Sequence, residues 1–215
     1  MVRTKICGVT RRKDMDAAVE AGADAVGFVT EVPVDTDRSL EREEARELVE
    51  HAPPYISTTL VIMPETVDDA VELARHVEPD VIQIHREFDG VKKVKERCSR
   101  KVVAKKDPGD AVSSAAEEAD ALLVDTPGEK GAGGTGETHD WNKTREVVRE
   151  TDIPVVLAGG LTPRNVGKAV REVDPYGVDV SSGVERKEGV KNHREIENFV
   201  AEARKAESSN NSEEV

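Results

Sequence analysis

Ala23-Asp24-Ala25-Val26-Gly27-Phe28-Val29 returns, in altered form, as Pro79-Asp80-Val81-Ile82-Gln83-Ile84 and as Ala119-Asp120-Ala121-Leu122-Leu123-Val124, with a degenerate fourth copy in Tyr176-Gly177-Val178-Asp179-Val180. In the first three, a small residue or proline and an aspartate follow a helical stretch and open a short apolar run, the pattern of a buried strand entered from a helix. Further Val- and Ile-rich runs at residues 2–6, 56–63, 101–105 and 154–158 bring the strand count to eight. Amphipathic segments lie between them near residues 11–22, 40–51, 66–77, 88–98, 109–119, 142–151, 163–172 and 192–206. Strands and helices alternating at about 27 residues per unit predict an α/β fold, a single (β/α)8 TIM barrel whose eight parallel strands close on themselves. An open doubly wound sheet is the alternative, but no GxGxxG follows the first strand and the units are too even for two halves. The barrel is expected over residues 1–205. Residues 206–215, with Glu207-Ser208-Ser209-Asn210-Asn211-Ser212-Glu213-Glu214 at their centre, carry little to bury and are expected to be a disordered acidic tail.

Composition removes several classes of function. With 31 Lys and Arg against 44 Asp and Glu the chain carries −13 at neutral pH, so a general nucleic-acid or anionic-membrane binder, which needs a basic footprint, is not expected, although a local basic pocket stays open. No run approaches the roughly 20 apolar residues that span a bilayer, and the amino terminus lacks a signal-like apolar stretch. Cys7 and Cys98 are too few for a disulfide framework and have no zinc-like spacing. A reduced, cytoplasmic protein is expected. A charged fraction of 35% and an aromatic fraction of 3% describe a strongly hydrated surface. Halophilic proteins carry such surfaces, so a halophilic source is expected, with an ordinary acidic soluble protein, toward which the many lysines pull, as the alternative.

In such barrels the chemistry sits on the loops that follow the strands. Gly159-Gly160 after strand seven and Ser181-Ser182-Gly183 after strand eight stand where barrels commonly bind phosphate, and Gly133-Gly134-Thr135-Gly136 lies in the long loop after strand six. Glycine-rich loops let successive backbone N–H groups form an anion nest, so the three together predict a phosphate site. Cys7, at the end of strand one, is placed to act as a thiolate base or nucleophile tuned by Lys5, or to be a small core residue. Asp125 ends strand six, where an unpaired carboxylate is costly unless it is used, and suits a general acid; helix capping is the plainer reading. Arg38 has the geometry to clamp a carboxylate or is a surface charge. His85 either contacts substrate or packs as a neutral ring. Asp179 orients a loop or contacts substrate. No metal and no cofactor are expected, since no second ligand-type residue is spaced to work with His85.

Taken together, Lys5-Ile6-Cys7-Gly8-Val9-Thr10, Gly133-Gly134-Thr135-Gly136 leading to Asp140-Trp141, Leu157-Ala158-Gly159-Gly160-Leu161 and Gly177 through Glu185 resemble the phosphoribosylanthranilate isomerase family of tryptophan biosynthesis, from Lys5 to about Phe199. The resemblance implies an Amadori rearrangement of N-(5-phosphoribosyl)anthranilate to 1-(2-carboxyphenylamino)-1-deoxyribulose 5-phosphate without a cofactor. It makes Asp125 the general acid, Cys7 the general base and Arg38 the anthranilate-carboxylate ligand. The partner is then a small phosphosugar, and the protein a monomer or homodimer. The sequence departs from the family in Asp35-Thr36-Asp37-Arg38-Ser39, where a Ser-Pro-Arg element is usual, and in His85-Arg86, where His-Gly is usual; Arg86 is therefore a second candidate cation. With so few aromatic residues, aliphatic side chains must line the anthranilate pocket. Competing readings are another phosphosugar enzyme using Lys5 or Lys105 as its acid, and a silent phosphosugar-binding module.

Overall fold

The computed structural model describes residues 1–108, 118–125 and 140–210, with side chains as far as Ala206. Eight parallel strands, β1 (Arg3–Ile6), β2 (Ala25–Thr30), β3 (Ser57–Ile62), β4 (Val81–Ile84), β5 (Lys101–Lys106), β6 (Ala121–Val124), β7 (Val155–Leu157) and β8 (Gly177–Val180), pair in chain order. The ring closes because β1 pairs with both neighbours: Lys5 stands opposite Ala25 on one side and Asp179 on the other. The described helices are α1 (Arg12–Glu20), α2 (Arg42–His51), α3 (Val67–Val77), α4 (Val91–Cys98), α5 (Trp141–Glu150), α6 (Val166–Val173) and α7 (His193–Asn210). The helix expected at 109–119 falls almost wholly outside the described residues. None of the described helices is long and apolar enough to cross a membrane.

The period of two along each strand divides the side chains between two environments. Outward-facing Ile6, Phe28, Leu60, Ile62, Ile82, Ile84, Leu122 and Leu157 are fully buried against the inner faces of the helices, from Met15 and Ala18 of α1 to Ile196, Phe199 and Val200 of α7. This annular layer is the hydrophobic core. The inward-facing set holds polar side chains, among them Lys5, Gln83 and Asp179, all buried.

The aspartates of the repeated phrase act as staples at the N-terminal end of the barrel. Asp24 accepts the backbone N–H of Thr4 at 2.8 Å, Asp80 that of Thr58 at 2.8 Å, and Asp120 that of Val102 at 3.0 Å. Each ties the chain entering one strand to the start of the strand before it, satisfying an N–H that lies at the ladder's end. The fourth copy has Tyr176 where the aspartate would stand, and there its backbone carbonyl accepts from Arg3 N–H at 3.1 Å.

Two features were not expected. Ser39–Leu40 adds a short parallel extension beside the end of β2, and Glu185–Lys187 pairs with Val190–Lys191 as an antiparallel hairpin after a 3-10 turn at Ser182–Val184. Ala206, where the tail was expected to begin, is buried against the core, and α7 continues past it to Asn210. Residues 211–215 lie outside the described residues.

Candidate active site

At the C-terminal end of the barrel one pocket is lined by Cys7, Arg38, His85, Asp125, Gly159, Gly160, Asp179, Ser181, Ser182 and Gly183. Ten of the twelve candidate residues thus converge on one cavity from six strand ends. The other two, Gly133 and Gly134, lie outside the described residues. Arg86 lines a different groove beside Glu31 and Glu65, so it does not share this pocket with Arg38. Lys105 pairs with Asp107 at 2.6 Å and is not among the residues that line this pocket.

Two glycine loops form one part of the wall. Gly159 and Gly160 both take positive φ, +85° and +63°, a conformation that side chains rarely adopt. Gly183 packs so closely that a Cβ would stand 1.9 Å from the Leu161 carbonyl oxygen, so the loops after β7 and β8 meet backbone to backbone. Aliphatic side chains, Val29, Val32, Val34, Val61, Met63 and Leu161, form the rest. This is the aliphatic lining that the scarcity of aromatic residues led us to expect.

Cys7 is buried at the end of β1. Burial pushes its thiol above the ordinary range, and the Asp179 carboxylate adds to this, while the Lys5 and Lys191 ammonium groups pull the other way. Lys5 lies beneath it. Its Nζ donates to Asp179 Oδ2 at 2.8 Å and to Gln83 Oε1 at 3.0 Å. Although burial disfavours the charge, Asp179 raises the Lys5 pKa, so the ammonium persists. Lys5 fits because β2 carries Gly27 opposite: a Cβ there would come within 2.8 Å of Cys7 Sγ and 3.0 Å of Lys5 Cε. Asp179 spends one oxygen on Lys5, and its buried Oδ1 has no partner among the described residues. Such an oxygen in a ligand-sized pocket is an acceptor awaiting a hydroxyl or N–H.

Asp125 lies buried at the end of β6, with Oδ2 3.5 Å from His85 Nε2. His85 is neutral: burial, reinforced by Lys105 and Lys5 and only partly offset by Asp107, lowers its pKa to about 4.

Arg38 reaches the pocket from the loop after β2, held by a bidentate pair with Glu185 at 2.8 and 3.0 Å and by Glu188 at 3.2 Å. Behind Glu185 lies Lys191, its side chain fully buried, which donates to Glu185 Oε1 at 2.9 Å and to the Ser181 carbonyl at 3.1 Å. Arg38 and Lys191 hold the Glu185 carboxyl below the usual range despite its burial. Sequence reasoning missed Gln83, Lys191 and the role of Glu185. Glu185 and Lys191 belong to a hairpin too short to read as a strand pattern, and Gln83 looked like part of an apolar run.

The family model described as N-(5'phosphoribosyl)anthranilate (PRA) isomerase matches residues 4–202. The N-(5'-phosphoribosyl)anthranilate isomerase of Haloferax volcanii is 53% identical over 210 residues, covering 96% of this chain and 95% of its own. The crystal structure of phosphoribosyl anthranilate isomerase from Thermotoga maritima superposes with a TM-score of 0.81 at 33% identity, covering 95% of this chain and 100% of that one. A structure of such an isomerase in complex with reduced 1-(o-carboxyphenylamino)-1-deoxyribulose 5-phosphate superposes with a TM-score of 0.76 at 32% identity, with the same coverage.

Proposed function

Because the chain belongs to the N-(5'-phosphoribosyl)anthranilate isomerase family, we propose that it converts N-(5-phosphoribosyl)anthranilate into 1-(2-carboxyphenylamino)-1-deoxyribulose 5-phosphate, with Asp125 as general acid and Cys7 as general base. The observation that carries the reading is the convergence of a buried thiol, a buried carboxylate and two glycine-rich loops on one aliphatic pocket.

The loops Gly159-Gly160 and Ser181-Ser182-Gly183 suit the 5'-phosphate, their backbone donors serving as an anion nest. The valine-lined wall suits the anthranilate ring, and Arg38 its carboxylate. Asp125 protonates the furanose ring oxygen, and the C1'–O bond breaks to leave a protonated Schiff base. That cation draws electrons from C1', which acidifies the C2' proton. Cys7 thiolate removes this proton, giving an enolamine that tautomerises to the ketone. Asp179 Oδ1 is left to accept a sugar hydroxyl or the anilinic N–H.

A thiol raised by burial is a poor base until it ionises, and two neighbours make ionisation affordable. Lys5 and Lys191 both favour the thiolate. The cationic intermediate adds a third positive charge at the moment of proton removal.

The test is the loss of fluorescence of freshly generated phosphoribosylanthranilate on adding purified protein, at low salt and at about 2 M KCl, where the Debye length is near or below 3 Å. Rapid decay, abolished in Cys7→Ala and Asp125→Asn while circular dichroism is unchanged, is expected. Turnover retained in both variants would overturn the mechanism, and no decay from folded wild type at either salt would overturn the substrate. The acidic surface supports faster turnover in the high-salt arm.

A further inference from the structure

We propose that Gln83 is a positioning residue that locks the tautomer of His85, so that the imidazole turns an N–H, and not a lone pair, toward Asp125. The inference rests on the reading of Asp125 as the general acid.

The lock follows from a chain of groups running across the barrel interior, Asp179–Lys5–Gln83–His85–Asp125. An ammonium is a donor only, so the Gln83 atom 3.0 Å from Lys5 Nζ is its carbonyl oxygen, Oε1. The reverse orientation would press the amide NH2 against a buried cation. The amide nitrogen therefore faces His85, with Nε2 3.4 Å from Nδ1. Since Nε2 of Gln83 is also only a donor, Nδ1 must accept and carries no proton. In a neutral imidazole the proton then resides on Nε2, the atom 3.5 Å from Asp125 Oδ2. The ring is neutral for the reason given above: burial, with Lys105 and Lys5 outweighing Asp107, disfavours the imidazolium.

The consequence for the chemistry is direct. In the other tautomer, the lone pair on His85 Nε2 would accept the proton of the Asp125 carboxyl group and compete with the sugar ring oxygen for it. It would also repel the carboxylate formed once that proton is given up. With Nε2–H in place, His85 cannot take the proton, and it donates toward the carboxylate after protonation of the substrate. Direction is set at the far end by Lys5, whose charge is held by Asp179 at 2.8 Å.

The test uses 15N-labelled protein at pH 8 and long-range proton–nitrogen correlations of the histidine rings, which report which ring nitrogen is protonated. His85→Gln identifies the His85 signals among the five histidines. Wild type is expected to show His85 as Nε2–H. In Gln83→Glu one carboxylate oxygen keeps Lys5 while the other accepts from the ring, so the tautomer reverses to Nδ1–H. The turnover number should then fall about 10- to 100-fold with KM within about twofold, a loss in keeping with one impaired proton transfer. Gln83→Leu removes the lock without reversing it and should give mixed tautomers and a smaller loss. A wild-type His85 protonated on Nδ1 would overturn the inference, as would a reversed tautomer in Gln83→Glu with unchanged turnover. The wild-type spectrum is decisive even if a variant fails to fold. The spectrum needs no substrate, so a failure of the proposed function would show separately, as absent turnover by wild type.

Discussion

Replacing Gly27 by alanine would build a methyl group into the floor of the pocket, between the two side chains on which the proposed proton abstraction depends. The new Cβ would stand 2.8 Å from Cys7 Sγ, 3.0 Å from Lys5 Cε and 3.2 Å from Lys5 Nζ. Ordinary contact between such atoms begins near about 3.5 Å, so the sulfur must withdraw by about 0.7 Å or more. Lys5 cannot swing aside cheaply, because its ammonium is fixed by Asp179 and Gln83 at 2.8 and 3.0 Å. Overpacking of this kind costs about 1–3 kcal/mol of stability. A displacement of a reacting group by about 1 Å can lower the rate on the order of 100-fold, and the effect belongs in kcat because the loops assigned to phosphate are untouched. Gly167→Ala is the control. Its Cβ would meet nothing nearer than 3.5 Å, within α6, and alanine in a helix is more stable than glycine by about 0.5–1 kcal/mol. Thermal unfolding and the fluorescence decay assay should therefore show Gly27→Ala less stable and slower, and Gly167→Ala more stable and equally active. If Gly27→Ala folded and turned over substrate at the wild-type rate, the position of Cys7 would not matter to the reaction, and its assignment as base would fall.

Because burial raises the Cys7 thiol and a base must be ionised to act, kcat/KM should climb with pH through neutrality, approaching tenfold per unit; a profile flat from pH 6 to 8 would remove Cys7 from the role. His85 has a folded pKa lowered to about 4, so between its ordinary 6.5 and that value the unfolded chain binds a proton that the folded chain does not. The fold should accordingly lose up to about 1.4 kcal/mol of stability per unit as pH falls through that window, and urea midpoints of His85→Leu should lack this component. Asp80→Ala would orphan the Thr58 N–H and hydroxyl, each 2.8 Å from the same carboxylate oxygen, and should lower stability by about 2 kcal/mol while leaving kcat unchanged, since the staple lies at the end of the barrel remote from the pocket.

The barrel was legible because a buried parallel strand is a short apolar run and a helix packed outside it is amphipathic, and the chain repeats that pair of patterns evenly. The strand ends were legible for the same reason, which is how Cys7, Asp125 and His85 could be placed at the pocket before any coordinates. What could not be read were relations between distant positions. Arg38 and Glu185 are 147 residues apart, and nothing local to either announces the other. Lys191 reads as one more charge in an acidic, lysine-rich chain, yet its side chain is fully buried. Gln83 looks like a polar residue in a strand until Lys5 is known to point at it from across the barrel. The aspartate of the repeated phrase was used as punctuation, although its recurrence had a structural cause.

That cause gives the barrel a grain. Asp24 binds back to β1, Asp80 to β3 and Asp120 to β5, so the staples couple β1 with β2, β3 with β4, and β5 with β6, and skip the joints between these couples. The working module is a double one of two strands and their helices, and the eight-fold ring is assembled from larger pieces than its strand count suggests. Dividing the chain within α2, between β2 and β3, leaves every staple inside a single fragment. Dividing it within α3 separates Thr58 from Asp80. Halves made by the first cut should find each other and reassemble more readily than halves made by the second, and the chain's natural seams would run between its strand pairs.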